Sequence, residues 1–212
     1  MLDESRTELR LKTRGRGERT ASDELDDTLR VRRETSLAFA PRRTQEKTMA
    51  TKTTAADDGI DVQRAETEED VTRINDLFNL RQVTQELHSF TFRDGLIRAF
   101  ERDDRELYYT ESDGEITAGL MVWCESRILE EGEAQIRLTA THPEHREQGF
   151  ARTLVSKAIE FARRHEKEMI KAETDANSPA VAFWEACGFE QTSFRETKNG
   201  RKMVMMTMEM EA

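Results

Sequence analysis

The chain has 212 residues, enough for one domain of ordinary size with an extension. Charged residues make up 36% of it and the net charge is −10, which argues against a nonspecific hold on nucleic acid, where a basic face must neutralise phosphates. No apolar run nears the ~20 residues that span a bilayer, and the opening MLDESRTELRLKTRGRGERT lacks a secretory apolar stretch. A cytoplasmic protein is therefore expected, with no membrane partner.

The charge is unevenly spread. Residues 1–48 carry 12 Lys/Arg against 10 Asp/Glu, a net of +2, which leaves −12 on residues 49–212. Arginine outnumbers lysine by 25 to 8. Many carboxylates with few lysines suit a halophilic chain, because concentrated salt screens the self-repulsion. Cys124 and Cys187 are far apart and read as two reduced core thiols.

Residues 1–58 read as a charged extension that cannot repay the entropy of ordering on its own. Leu25, Leu29 and Leu37 hint at a short helix within it, and a start at Met49 is an alternative. From Gly59 the texture changes, and residues 59–212 read as one domain. Ile60, Val62 and Ala65 lead a short strand. Thr67 and Asp70 then form an N-cap signature before the helical pattern Val71, Ile74, Leu77, Phe78. A second helix is expected around Phe92–Arg102. Glu106–Glu111 and Ile116–Cys124 read as strands joined by Ser112-Asp-Gly114. Ala134–Thr141 is a further strand, closed by His142-Pro143. Phe150, Leu154, Val155, Ala158, Ile159 and Phe161 give residues 149–165 helical spacing. Met169–Thr174 is a strand and Pro179–Cys187 a short helix ended by Gly188. Phe189–Glu196 and Met203–Met210 pair across Lys198-Asn-Gly200, with Met203, Met205 and Met208 filling core gaps. The fold class is α/β (α+β): a mixed, mostly antiparallel sheet flanked by helices, in the order βααβββαβαββ.

The segment richest in chemistry runs from Leu138 to Arg152, where a strand enters a tight loop that opens onto a helix. A helix N-terminus presents N–H groups without intrahelical partners and the positive end of the helix dipole. Gly149 removes a Cβ where a ligand must approach the main chain, and Arg146 and Arg152 bring positive charge to an otherwise acidic domain. These features suit a pyrophosphate. An ordinary capped helix is the plainer alternative, since the loop lacks the glycine density of G-x-G-x-x-G.

Arg146-Glu-Gln-Gly-Phe-Ala151 fits every fixed position of Arg/Gln-x-x-Gly-x-Gly/Ala, the hallmark of the GCN5-related N-acetyltransferase (GNAT) family, which this chain therefore resembles. Asn177-Ser-Pro-Ala-Val-Ala-Phe-Trp-Glu-Ala-Cys-Gly-Phe189, about thirty residues on, is similar to that family's second signature. The resemblance covers about 150 residues and includes the element order. It implies an N-acetyltransferase using acetyl-CoA and an amine acceptor, with no metal; a homodimer is left open. It also implies that backbone groups of Ala140 and Thr141 bind the pantetheine arm, and that the loop residues Arg146, Glu147, Gln148, Gly149, Phe150, Ala151 and Arg152 hold the pyrophosphate. Asn177 would contact the pantetheine or the thioester end. An Asx-turn or helix cap before Ser178-Pro179 is the structural alternative for Asn177.

The acid and base are less clearly marked. Many relatives use a tyrosine to protonate the departing thiolate, but this chain has Phe183-Trp184, and an indole N–H is a poor proton donor. Where some relatives keep a glutamate base, Gln135 stands. Glu133, two residues earlier on the same strand face, and Glu173 on the next strand are the candidate catalytic carboxylates. His142 is a third candidate on its ordinary pKa, and His142 with His145 makes no persuasive metal set. A noncatalytic acyl-CoA-binding module is the alternative from another class, and no residue reads the acyl chain length.

Overall fold

The structure is a computed structural model and describes residues 59–211. The extension expected over residues 1–58, with its short helix and Met49, lies outside the described residues. Within them the chain runs β1 (Val62–Arg64), α1 (Glu68–Phe78), α2 (Arg81–Leu87), α3 (Arg93–Phe100), β2 (Arg105–Ser112), β3 (Glu115–Trp123), β4 (Glu133–Thr141), a 3-10 turn (Pro143–His145), α4 (Phe150–Arg164), β5 (Met169–Asp175), α5 (Ala180–Ala186), β6 (Glu190–Glu196) and β7 (Lys202–Glu209). This is the expected order with one addition, α2. That helix has seven residues and its N-cap, Leu80, makes no side-chain capping bond, so the sequence carries no start signal for it.

Local chemistry accounts for the other elements. Thr67 Oγ1 accepts from the Asp70 N–H at 3.1 Å, and Asp70 Oδ2 accepts from the Thr67 N–H at 3.0 Å, a closed capping box. The turn between β2 and β3 places Asp113 and Gly114 at φ 53 and 83, the left-handed pair that suits the twist of a tight hairpin.

The strands form one seven-stranded sheet in the order β1-β2-β3-β4-β5-β7-β6. Every neighbouring pair is antiparallel except β4 with β5, and α4 is the crossover that a parallel pair requires. Its Leu154, Val155 and Phe161 pack on Leu120, Val122, Ile170 and Met206, and Trp184 and Phe189 complete that core. On the opposite face Val71, Ile74 and Phe78 of α1 and Leu96 of α3 cover Leu107, Tyr109 and Met121. Each such side chain contributes about 1.5–3 kcal/mol when fully buried, so the centre of the sheet is clamped from both sides. α1 lies close over β3 at Gly119, where a Cβ would meet Ile74, Leu77 and Phe78 at 3.4 to 3.5 Å, ordinary van der Waals contact. Met203 is buried as expected, and Met206 and Met210 are buried too, whereas Met205 and Met208 are only partly covered. Among the described residues no helix is long and apolar enough to cross a membrane.

Candidate active site

β4 breaks its regularity at one residue. Leu138 pairs with Met121 of β3, but Ile136 pairs with Val122, which leaves Arg137 as an extra residue in a bulge. The extra residue reverses the facing of the strand. Ala134 and Ile136 belong to the core under α4, while Leu138 and Ala140 pack against the core under α1. Pairing with β5 ends at the same level, at Ile136 with Ala172. Beyond it β4 stays with β3 to Thr141 and β5 stays with β7 to Asp175, so the two strands part.

This parting leaves one edge of β4 without a strand beside it. The His142 N–H donates to the Thr117 carbonyl across β3 at 2.7 Å. In an antiparallel ladder the direction of these groups alternates, so the main-chain groups of Leu138 and Ala140 also face β3. Those of Thr139 and Thr141 face the gap. The gap is a cavity of about 330 Å³ lined by Arg137, Leu138 and Thr139 on one wall and Glu173, Thr174, Ser178 and Trp184 on the other, with Glu86 of α2 and Arg146 at its rim. Thr139 Oγ1 is buried there with no hydrogen-bond partner among the described residues. A buried hydroxyl without a partner costs about 1–3 kcal/mol.

The loop from Arg146 to Gly149 leads from the 3-10 turn into α4. Glu147 has φ 62 and Gly149 φ 89. These two left-handed residues turn the main chain sharply just before it enters α4. Gly149 is the N-cap of α4 and provides no side-chain acceptor, so the N–H groups of the first turn stay available. The Thr153 N–H is satisfied by the Gly149 carbonyl at 3.1 Å. Arg146 Nη2 donates to Glu86 Oε2 at 2.8 Å, and both side chains are well exposed to solvent.

The cavity walls carry further charge pairs. Arg195 of β6 donates to both Glu173 oxygens at 2.6 Å, and this bond raises the Arg195 pKa above its ordinary value. Burial pushes the Cys124 thiol up to about 12 and the Cys187 thiol up to about 11, so both stay protonated and inert at neutral pH. A wider cavity of about 500 Å³ lies between β2 and the far end of α4. It shares no lining residue with the gap, and its buried Glu106 is already paired with Arg64 at 2.9 Å. Size alone does not make it the reaction site. Among the described residues no group of His, Cys, Asp and Glu is arranged to hold a metal.

The fold has counterparts among known proteins. The sequence profile described as the acetyltransferase (GNAT) family matches residues 71–189. The chain belongs to that family. Solved structures repeat its fold. Ribosomal-protein-alanine N-acetyltransferase from Brucella melitensis is 20% identical, with a TM-score of 0.60 over 70% of this chain and 99% of that one. The ribosomal-protein-S18-alanine N-acetyltransferase from Escherichia coli is 18% identical, with a TM-score of 0.56 over 72% and 94%. The yncA protein from Salmonella typhimurium, solved with its cofactor acetyl-CoA, is 18% identical, with a TM-score of 0.58 over 72% and 94%. At these identities the likeness speaks for the fold. No curated protein matches the sequence.

Within this GNAT domain the expected site residues separate into those gathered at the gap and those held elsewhere. Arg146 lines the cavity, and Glu147, Gln148, Gly149, Phe150, Ala151 and Arg152 form the loop and first turn beside it. Thr141 turns its main chain to the gap, whereas Ala140 turns its own to β3 and is replaced at the edge by Thr139. Glu173 lines the cavity; Glu133 does not. Glu133 sits at the still-paired end of β4, ion-paired with Lys171 and accepting from the Glu130 N–H at 2.9 Å. Asn177 is exposed, and its N–H donates to Asp175 Oδ1 at 2.9 Å, so the Asx-turn belongs to Asp175. The next residue, Ser178, lines the cavity and caps toward the Ala180 N–H at 3.1 Å. His142 and His145 both face Glu115, at 3.6 and 3.9 Å, and neither lines the cavity. Sequence reasoning missed Arg137, Thr139, Thr174, Ser178 and Glu86.

Proposed function

We propose that the protein transfers an acetyl group from acetyl-CoA to a primary amine, on a small molecule or a protein, with both substrates bound together. The observation that carries this reading is the parting of β4 and β5 beyond Ile136 and Ala172, with its mouth at an anion-receiving helix terminus. The bound thioester supplies an activated acyl carbon. The chain's own residues bind and orient. Thr139 and Thr141 offer main-chain groups to an amide-bearing arm in the manner of strand addition. The amides from Gln148 to Arg152 hold the diphosphate with help from Arg146. Arg146 changes partners at little cost, because an exposed ion pair such as the one with Glu86 contributes only about 0–1 kcal/mol.

Glu173 receives the proton lost by the attacking nitrogen, directly or through one water. Arg195 lies on β6, an edge strand exposed along its whole length, and swings aside to admit the amine. Holding both reactants in one cleft supplies much of the remaining acceleration. Glu133 supports the paired end of the strands through Lys171.

A noncatalytic acyl-CoA-binding module is the second reading. What favours it is Trp184, 3% exposed, and the lack of a tyrosine among the described residues that line the cavity. Free-thiol release from acetyl-CoA with a panel of amines, run beside calorimetry with CoA, separates the two. Turnover on at least one amine is expected. Tight CoA binding with no turnover on any amine would favour the module.

A further inference from the structure

When the carbon–sulfur bond breaks, negative charge forms on sulfur and something must meet it. Among the described residues lining the cavity the only cationic side chains are Arg137 and Arg146. Arg146 belongs to the loop, at the outer end. Arg137 stands at the inner end, where β4 and β5 part. Between them β4 runs from Arg137 to Thr141, four residue steps and thus roughly 13 Å of strand, which an arm anchored at the loop must traverse. Its acyl end then arrives beside Arg137.

The guanidinium of Arg137 is held in place. Its Nη1 donates to Gln135 Oε1 at 3.1 Å, and its Cζ lies 4.9 Å from the centroid of the Trp123 ring. Arg105 covers the same ring at 3.7 Å. A side chain fixed by an amide and a stacked ring keeps its donors oriented before any substrate arrives, the condition under which such a group accelerates a reaction. Its place in the bulge accounts for the orientation, since a bulge re-aims the side chain it carries.

We propose that Arg137 is a catalytic residue whose guanidinium stabilises the sulfur anion released when the carbon–sulfur bond breaks. The proposal rests on the acetyl-CoA reading above. The nitrogen lone pair forms the new bond to the acyl carbon, and the carbon–sulfur electron pair leaves on sulfur. The proton lost by nitrogen goes to Glu173 or water, and sulfur takes up a proton from solvent. Arg137 stays charged at every accessible pH, so it contributes charge and no proton. In that way it meets the need a tyrosine would otherwise serve.

The test titrates the thiol of CoA bound to the full-length protein, followed by the ultraviolet absorbance of the thiolate. An opposite charge within reach lowers such a value by about one to three units from its ordinary value of about 8.5, and the wild-type complex is expected to fall in that range. In Arg137→Gln the bound thiol should return to about 8.5 while kcat falls about a hundredfold. Below that pH calorimetry should give both proteins similar CoA affinity. Arg137→Lys keeps the charge and should keep most of the lowered titration, which serves as the second variant if the glutamine form does not fold. A bound thiol that titrates like the free one in the wild type, or equally low in wild type and Arg137→Gln, overturns the proposal. Wild-type protein that binds no CoA overturns the acetyl-CoA reading itself, and with it the assignment of Arg137.

Discussion

Replacing Thr139 by valine changes the shape of the cavity wall little and removes one atom, the hydroxyl that is buried without a partner among the described residues. Its removal relieves an unmet polar group, so the free protein should gain about 1–2 kcal/mol. For a domain of about 150 residues that is a rise in Tm of roughly 2–8 °C. The ligand side moves the other way. If the hydroxyl bonds the arm of CoA, the variant loses one hydrogen bond of about 1 kcal/mol, or about fivefold in Kd. Thermal unfolding without ligand and calorimetry with CoA measure the two effects on the same sample. A less stable variant that binds CoA with wild-type affinity would mean that the hydroxyl already has a partner and does not face the arm.

Glu173→Gln should lower kcat by about a hundredfold or more with CoA affinity unchanged, since a general base contributes about 10²–10⁴; steady-state kinetics and calorimetry read the two apart. Thr67→Ala should cost about 1 kcal/mol through loss of the cap, read as a lower denaturation midpoint. Burial opposes ionisation of Asp70, but the N–H groups of Glu66 and Thr67, the Thr67 hydroxyl and Tyr109 outweigh it and hold its carboxyl below the ordinary 3.8. A carboxylate depressed in the folded state stabilises above its unfolded value and loses that contribution as pH falls through the folded one. Tm should therefore drop below pH 3.8 in the wild type and less steeply in Thr67→Ala. The acidic, arginine-rich composition predicts an unfolding midpoint that rises from low to molar salt; equal midpoints would discard the halophilic reading.

Much of the fold was legible because local signals and global structure agree. The Thr67–Asp70 cap, the Asn199-Gly200 hairpin and the apolar spacing of residues 149–165 each depend on neighbours a few residues apart. The loop from Arg146 to Arg152 was legible for the same reason. The bulge was not. Ala134, Ile136, Leu138 and Ala140 alternate without interruption in the sequence, yet the first two face one core and the last two the other. Only pairing with β3 reveals that Arg137 is the extra residue, so the cationic group nearest the parting of the strands left no mark in the sequence.

That Glu173 lines the cavity and Glu133 does not was hidden in the same way. The two share a sheet face, and what separates them is where β4 and β5 stop pairing, a property of two strands more than thirty residues apart. The helix α2 escaped because it has neither a capping side chain nor the length to display a period, although its Glu86 reaches the cavity rim. Asn177 is exposed while Ser178 lines the cavity, because a turn closed by Asp175 leaves the first outside and directs the second inward.

A crystal structure of the protein with acetyl-CoA bound decides where the cofactor lies. The diphosphate is expected on the amides between Gln148 and Arg152 and the arm bonded to the edge of Thr139 and Thr141, with its thioester beside Arg137. A diphosphate bound elsewhere, or a gap between β4 and β5 left empty at saturating ligand, would contradict that placement.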